Sequence, residues 1–239
     1  MPVRAVLFDL DDTLYDHTEA SRRSTAEAIT VEPALAVAGL EMVQAENLRL
    51  LEVLHVDVAA GRTSVADARA ERWRRVLTTF GGNPRNAYAL AERARTAYRA
   101  CEGPVPGAVE LLDRLRSVGV LLGIVSNNDG AEQRGKLLRL GLAARFATAA
   151  FSADHGVAKP DPRLFHVALA GLQLEPECAV HVGDSWETDV LGARAAGIRP
   201  VWFNRSCRPC GDASAVRQVI DFRRLDEATQ AILGDVQGR

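Results

Sequence analysis

Two textures alternate along the chain. Short runs of Val, Ile, Leu and Phe stop abruptly at Asp, Ser, Asn or Gly, and longer stretches with helical spacing lie between them. The runs are Val3–Phe8, Val120–Val125, Phe146–Phe151 (the weakest), Ala179–Val182 and Ile198–Phe203. Their nearly continuous apolar character is that of strands covered on both faces, as in a parallel sheet. Ala108, Leu111, Leu112 and Leu115 follow the i, i+3, i+4, i+7 pattern of an amphipathic helix, and so do Phe165, Ala168, Leu169 and Leu172. Gly119, Gly141, Gly171 and Gly197 sit at or near helix ends, and Pro162 can open the Phe165 helix at its first turn. Strand–helix alternation from Pro106 onward predicts an α/β fold, a Rossmann-like parallel sheet flanked by helices.

Residues 17–103 break that rhythm. They contain no convincing strand, are rich in Ala, Leu, Arg and Glu, and read as about four helices with breaks near Pro33, Ala60-Gly61 and Gly81-Gly82-Asn83-Pro84. Gly103-Pro104-Val105-Pro106-Gly107 is a stiff return into the sheet. The expected organisation is an α/β core of residues 1–16 and 104–239, interrupted by an all-helical domain of residues 17–103.

Composition narrows the function. With 239 residues, 47% of them apolar, the chain can bury a sizeable core. Its 29 Lys and Arg against 31 Asp and Glu leave a charge of −2, with no basic excess for a nucleic-acid backbone or an anionic membrane. The run after Val3 meets Asp9 too soon for a signal peptide, and Val118–Val125 is far short of the roughly 20 residues that span a bilayer. Four cysteines make no disulfide framework, so a soluble, reducing, cytoplasmic setting is expected.

In a parallel α/β sheet, ligands bind at the carboxyl ends of the strands. Those ends carry Asp9 and Asp11, then Ser126 and Asn127, then Asp184 and Asp189, with Lys159 in the loop ahead of the fourth run. Two carboxylates 4 Å apart repel by about 4 kcal/mol at an effective dielectric near 20. A hard dication resolves that conflict, and an all-oxygen set with open positions suits Mg²⁺ beside a phosphate. Lys159 adds positive charge. A carboxylate can act as nucleophile through an aspartyl-phosphate, and Ser126, Asn127 and the backbone N–H groups from Asp11 to Thr13 could hold phosphoryl oxygens.

Phe8-Asp9-Leu10-Asp11-Asp12-Thr13-Leu14 resembles the first signature of the haloacid dehalogenase-like (HAD) hydrolase superfamily. Ile124-Val125-Ser126-Asn127 resembles the second, Lys159-Pro160-Asp161 the third, and Gly183-Asp184-Ser185 with Asp189 the fourth, all in order. The resemblance implies a phosphatase-like member with a helical cap of the first cap class, acting on a small phosphorylated metabolite. By that resemblance Asp9 is the nucleophile and a Mg²⁺ ligand, and Asp11 is the acid/base, its backbone carbonyl also a ligand. Thr13, Ser126 and Asn127 would contact substrate and Lys159 would neutralise nucleophile and phosphate. Asp184 would ligate Mg²⁺ and Asp189 would stand one step outside the direct ligands. Asp12 occupies a spot where Gly is commonest.

Alternatives stay open. Superfamily dehalogenases of 2-haloacids lack the second aspartate of the first signature, so Asp11 disfavours that activity. Phosphonate cleavage there uses a cap lysine, whereas Lys136 and Lys159 are the only lysines and lie outside residues 17–103. A phosphomutase would use the same aspartates, and a non-catalytic binding protein could keep the fold. Cys207-Arg208-Pro209-Cys210 has C-x-x-C spacing without a second pair, and reads as loop thiols. The five histidines show no ligand spacing, with His181 expected to pack in its strand. Arg69, Arg72, Arg74 and Arg75 read as a solvated helix face, and Trp186 as either packing or the mouth of the site.

Overall fold

A computed structural model describes residues 2–59, 61–209 and 215–234. The chain divides into two compact units, one being His17–Glu102 and the other the residues up to Asp16 with those from Gly103 onward.

The first of these is all helical: α1 (His17–Val31), α2 (Pro33–Ala38), α3 (Leu40–Ala59), α4 (Val65–Thr79) and α5 (Ala87–Ala100). The breaks fall at the expected sites, with Pro33 at the first turn of α2 and Ser64 capping α4 through the Asp67 N–H at 3.0 Å. There are five helices rather than about four, because Gly39, at φ +83°, separates α2 from α3 inside an unbroken apolar pattern. Trp73, Val76, Leu77 and Leu90 fill its centre with Val43 and Leu50.

The other unit holds one parallel sheet, in the order β3-β2-β1-β4-β5-β6. Its strands are β1 (Ala5–Phe8), β2 (Leu121–Ser126), β3 (Thr148–Phe151), β4 (Ala179–Gly183), β5 (Arg199–Phe203) and β6 (Arg217–Val219). Five match the predicted runs. β6 is an addition, a three-residue edge strand whose Arg217 and Gln218 are exposed, so it leaves no apolar run to see. The flanking helices are α6 (Ala108–Ser117), α7 (Gly130–Arg139), α8 (Ser152–His155), α9 (Pro162–Leu172), α10 (Leu191–Ala195) and α11 (Leu225–Leu233). Ala108, Leu111, Leu112 and Leu115 of α6 are all fully buried, as the periodicity requires. Gly171 lies near the end of its helix, one residue before α9 stops at Leu172, and Gln173, at φ +55°, supplies the left-handed cap. No helix among the described residues is long and apolar enough to cross a membrane.

The chain builds outward from β1, to β2 and β3 on one side and to β4, β5 and β6 on the other. Such a reversal opens a crevice at the carboxyl ends of the central strands.

Candidate active site

Register decides which side chains meet. Phe8 aligns with Ile124 of β2 and with Val182 of β4, so the carboxyl ends of these three strands lie within two residues of one level. The Asp9 N–H donates to the Val182 carbonyl at 2.9 Å. One carboxylate oxygen from each of Asp9, Asp184 and Asp189 then lies within 4.8 Å of the others. Lys159 is the hub of this cluster, its Nζ 2.6 Å from Asp9 Oδ1 and 2.6 Å from Asp189 Oδ1. Asp189 also accepts from His181 Nε2 at 2.9 Å and from the Ser185 N–H at 3.0 Å. With three donors on it, Asp189 has little left for a metal, whereas Asp184 keeps a carboxylate that is 26% exposed.

Two further residues hold this half of the site in shape: Trp202, which the sequence did not single out, and Gly183 of the fourth signature. Trp202 Nε1 donates to the Asp184 carbonyl at 2.8 Å. Gly183 is needed for space, since a Cβ there would fall 2.2 Å from Asp189 Cγ. Trp186 packs edge-on against Trp202, with ring centroids 5.1 Å apart. His181 is a core residue as expected, edge-on to Phe165 at 5.0 Å.

The electrostatics follow from burial and crowding. Burial raises the Asp9 carboxyl well above its ordinary value; Lys159 pulls it down, but Asp189 and Asp184 push it further up. Burial pushes the Asp184 carboxyl up to about 7, with help from Asp189 and Asp12 and opposition from Arg208. Asp189 goes the other way: burial would raise it, but Lys159 and His181 hold it below the usual carboxylate range. One ammonium between two carboxylates is too little charge, and the donors are all hard oxygens. Asp9 and Asp184 therefore fit a divalent cation such as Mg²⁺.

A second cluster forms around Asp11, which is not among the three crowded carboxylates. Lys136 Nζ donates to Asp11 Oδ1 at 2.6 Å, Gln133 Nε2 to Oδ2 at 2.8 Å, and Asn128 Nδ2 to Oδ2 at 3.5 Å. Gln133 Nε2 also lies 2.8 Å from Ser126 Oγ, which is almost fully buried. Asn127, expected at the substrate, is engaged with the loop that carries Lys159. Its side-chain amide donates to the Lys159 carbonyl at 2.8 Å and accepts from the Lys159 N–H at 2.6 Å, clamping the lysine's backbone.

The backbone N–H groups expected to cradle phosphate are likewise partly spent. That of Asp12 donates to the Tyr15 carbonyl at 2.7 Å and that of Thr13 to Leu10 at 3.3 Å, closing the turn after β1. Thr13 is fully buried and its hydroxyl has no hydrogen-bond partner among the described residues. Asp12 sits at φ +59°, which explains why glycine suits that spot. Cys207 is exposed, and Cys210 lies outside the described residues, as does the side chain of His55. Arg74 and Arg75 both pair with Glu71 on the surface of α4.

A haloacid dehalogenase-like hydrolase model matches residues 3–197. The chain belongs to that family. This hydrolase is 40% identical over 161 residues to the phosphoserine phosphatase of Thermus thermophilus, a match covering 66% of this chain and 63% of that protein, just under two thirds of its length. It is 33% identical over 207 residues to the glyceraldehyde 3-phosphate phosphatase of Methanopyrus kandleri, covering 85% and 84% of the two chains. The HAD-hydrolase YfnB of Bacillus subtilis, solved bound to magnesium, shares the fold with a TM-score of 0.73 at 21% identity, over 96% of this chain and 99% of that one.

Proposed function

We propose that this hydrolase is a Mg²⁺-dependent phosphatase of small phosphorylated metabolites, working through an aspartyl-phosphate on Asp9. The observation that carries the proposal is the convergence of Asp9, Asp184 and Asp189 on one another, with Lys159 bridging two of them. The phosphatase names of its relatives support the same chemistry.

Asp9, Asp184 and the backbone carbonyl of Asp11 would hold Mg²⁺, while Asp189 anchors Lys159. When bound, the ion supplies charge neutralisation for the nucleophile and the phosphoryl group. A carboxylate oxygen of Asp9 attacks phosphorus, and the bond from phosphorus to the ester oxygen breaks. That oxygen keeps the electron pair and takes a proton from Asp11, which enters this step as the protonated acid. Asp11, now a carboxylate, accepts a proton from water as the water oxygen attacks the same phosphorus, which releases phosphate and restores Asp9. Lys159 and the Ser126 hydroxyl stabilise the phosphoryl oxygens. Residues 17–103 would serve as the helical cap that sets selectivity.

Phosphate release from 4-nitrophenyl phosphate, with Mg²⁺ and with a chelator, tests this. Turnover should need Mg²⁺ and vanish in Asp9→Asn; undiminished turnover in chelator would overturn the proposal. O-phosphoserine, glyceraldehyde 3-phosphate and ribulose 1,5-bisphosphate, the substrates named for relatives, are the first metabolites to assay.

A further inference from the structure

We infer that Lys136 and Gln133 are positioning residues for Asp11, locking the acid/base group at a fixed distance from the phosphoryl-binding Ser126; this rests on the phosphatase reading above. Both stand on α7, three positions apart and so on one face of the helix. Lys136 is 3% exposed, a rare state for lysine, and its ammonium also lies 4.8 Å from the centroid of the Tyr15 ring. An ion pair of this kind is a poor source of stability, since desolvation offsets most of its attraction. What it does provide is direction. Each oxygen of Asp11 meets its own donor, Lys136 on Oδ1 and Gln133 on Oδ2. The Gln133 amide is shared with Ser126 Oγ, so one side chain ties the proton donor to the group that holds the phosphate.

Proton transfer by a positioned group contributes about 10²- to 10⁴-fold, and misplacement by 1 Å can cost about 10²-fold. The need for a proton grows with the basicity of the leaving oxygen. Phenyl phosphate should therefore suffer more than 4-nitrophenyl phosphate when Asp11 is loosened. The quantity to compare is kcat/KM, which covers only the steps up to departure of the phenol.

In Lys136→Met, kcat/KM for phenyl phosphate is expected to fall about tenfold further than for 4-nitrophenyl phosphate, with KM nearly unchanged. Gln133→Met should show the same contrast and serves if the lysine variant does not fold. Circular dichroism and calorimetric Mg²⁺ binding, both expected to match the parent, show that fold and metal site are intact. Equal losses on the two esters would overturn the positioning role alone. A parent enzyme inert on both would overturn the phosphatase reading and this inference together.

Discussion

Asp184→Asn should make the metal-free protein more stable in alkali and deaf to Mg²⁺. The Asp184 carboxyl, pushed by burial from its ordinary 3.8 to about 7, binds its proton more tightly in the folded chain than in the unfolded one. Stability therefore falls as pH climbs from the ordinary value to the raised one, and stays reduced above it. A shift of about three units corresponds to a ceiling of about 4 kcal/mol. The side chain is 26% exposed and its Oδ2 lies 3.2 Å from Arg208, so solvent and that guanidinium bring the cost to about 1–3 kcal/mol. Asparagine keeps the shape without the charge. It gives up only an exposed ion pair worth about 0–1 kcal/mol, and the Trp202 bond to the backbone carbonyl survives.

The assay is urea denaturation of parent and variant at about pH 5 and about pH 8, in chelator and in excess Mg²⁺. In chelator the parent should weaken relative to the variant as pH rises, and Mg²⁺ should restore it by binding only the folded state. His181, lowered by burial, contributes with the opposite sign, favouring the folded state as pH rises towards its ordinary value, but is common to both proteins. Asp9, pushed up partly by Asp184, is relieved in the same direction as the variant. If the variant shows the parent's pH dependence in chelator, or gains as much from Mg²⁺, the crowded-carboxylate argument is wrong.

Other expectations follow from single contacts. Gly183→Ala puts a methyl 2.2 Å from Asp189 Cγ, so urea denaturation should show a loss of about 1–3 kcal/mol and phosphatase assays a collapse of turnover. Asn127→Ala removes both bonds to the Lys159 backbone; steady-state kinetics should show kcat down about tenfold with the thermal midpoint little changed. Lys159→Arg keeps the charge but cannot fit two carboxylates 2.6 Å from one nitrogen, so kcat should fall by about 10²-fold.

What could be seen from the sequence was whatever sits in the backbone pattern. The five runs of apolar residues are legible because both faces of each strand are covered, and Asp9 and Asp184 are legible because polar residues at strand ends stand out against those runs; Lys159, in a loop, is legible only through the Lys159-Pro160-Asp161 signature. β6 offers no such contrast. Lys136 and Gln133 are hidden for another reason: on an amphipathic helix that begins at Asp129, a glutamine and a lysine three apart look like its solvated face. Only the meeting of α7 with the turn after β1 turns that face inward. Asn127 was visible as a polar residue at the end of β2, but its partner is the backbone of Lys159, and two loops from distant parts of the chain must meet to make that pair.

The choice of cation ties these observations together. The chain has 29 basic residues, and only Lys136 and Lys159 are lysine. Both are nearly fully buried, and both stand 2.6 Å from an aspartate of the site, the first at Asp11 and the second at Asp9 and Asp189. Arginine serves the surface pairs, where its planar fork finds carboxylates from an exposed position, as at Glu71 and Glu46. Inside, a compact ammonium with three donors can be shared between acceptors that a guanidinium would force apart. A sequence that otherwise uses arginine so freely keeps lysine for the two places where one nitrogen must hold an acidic side chain in a closed space. That makes Lys136 part of the same electrostatic design as Lys159, although only Lys159 belongs to a recognisable signature.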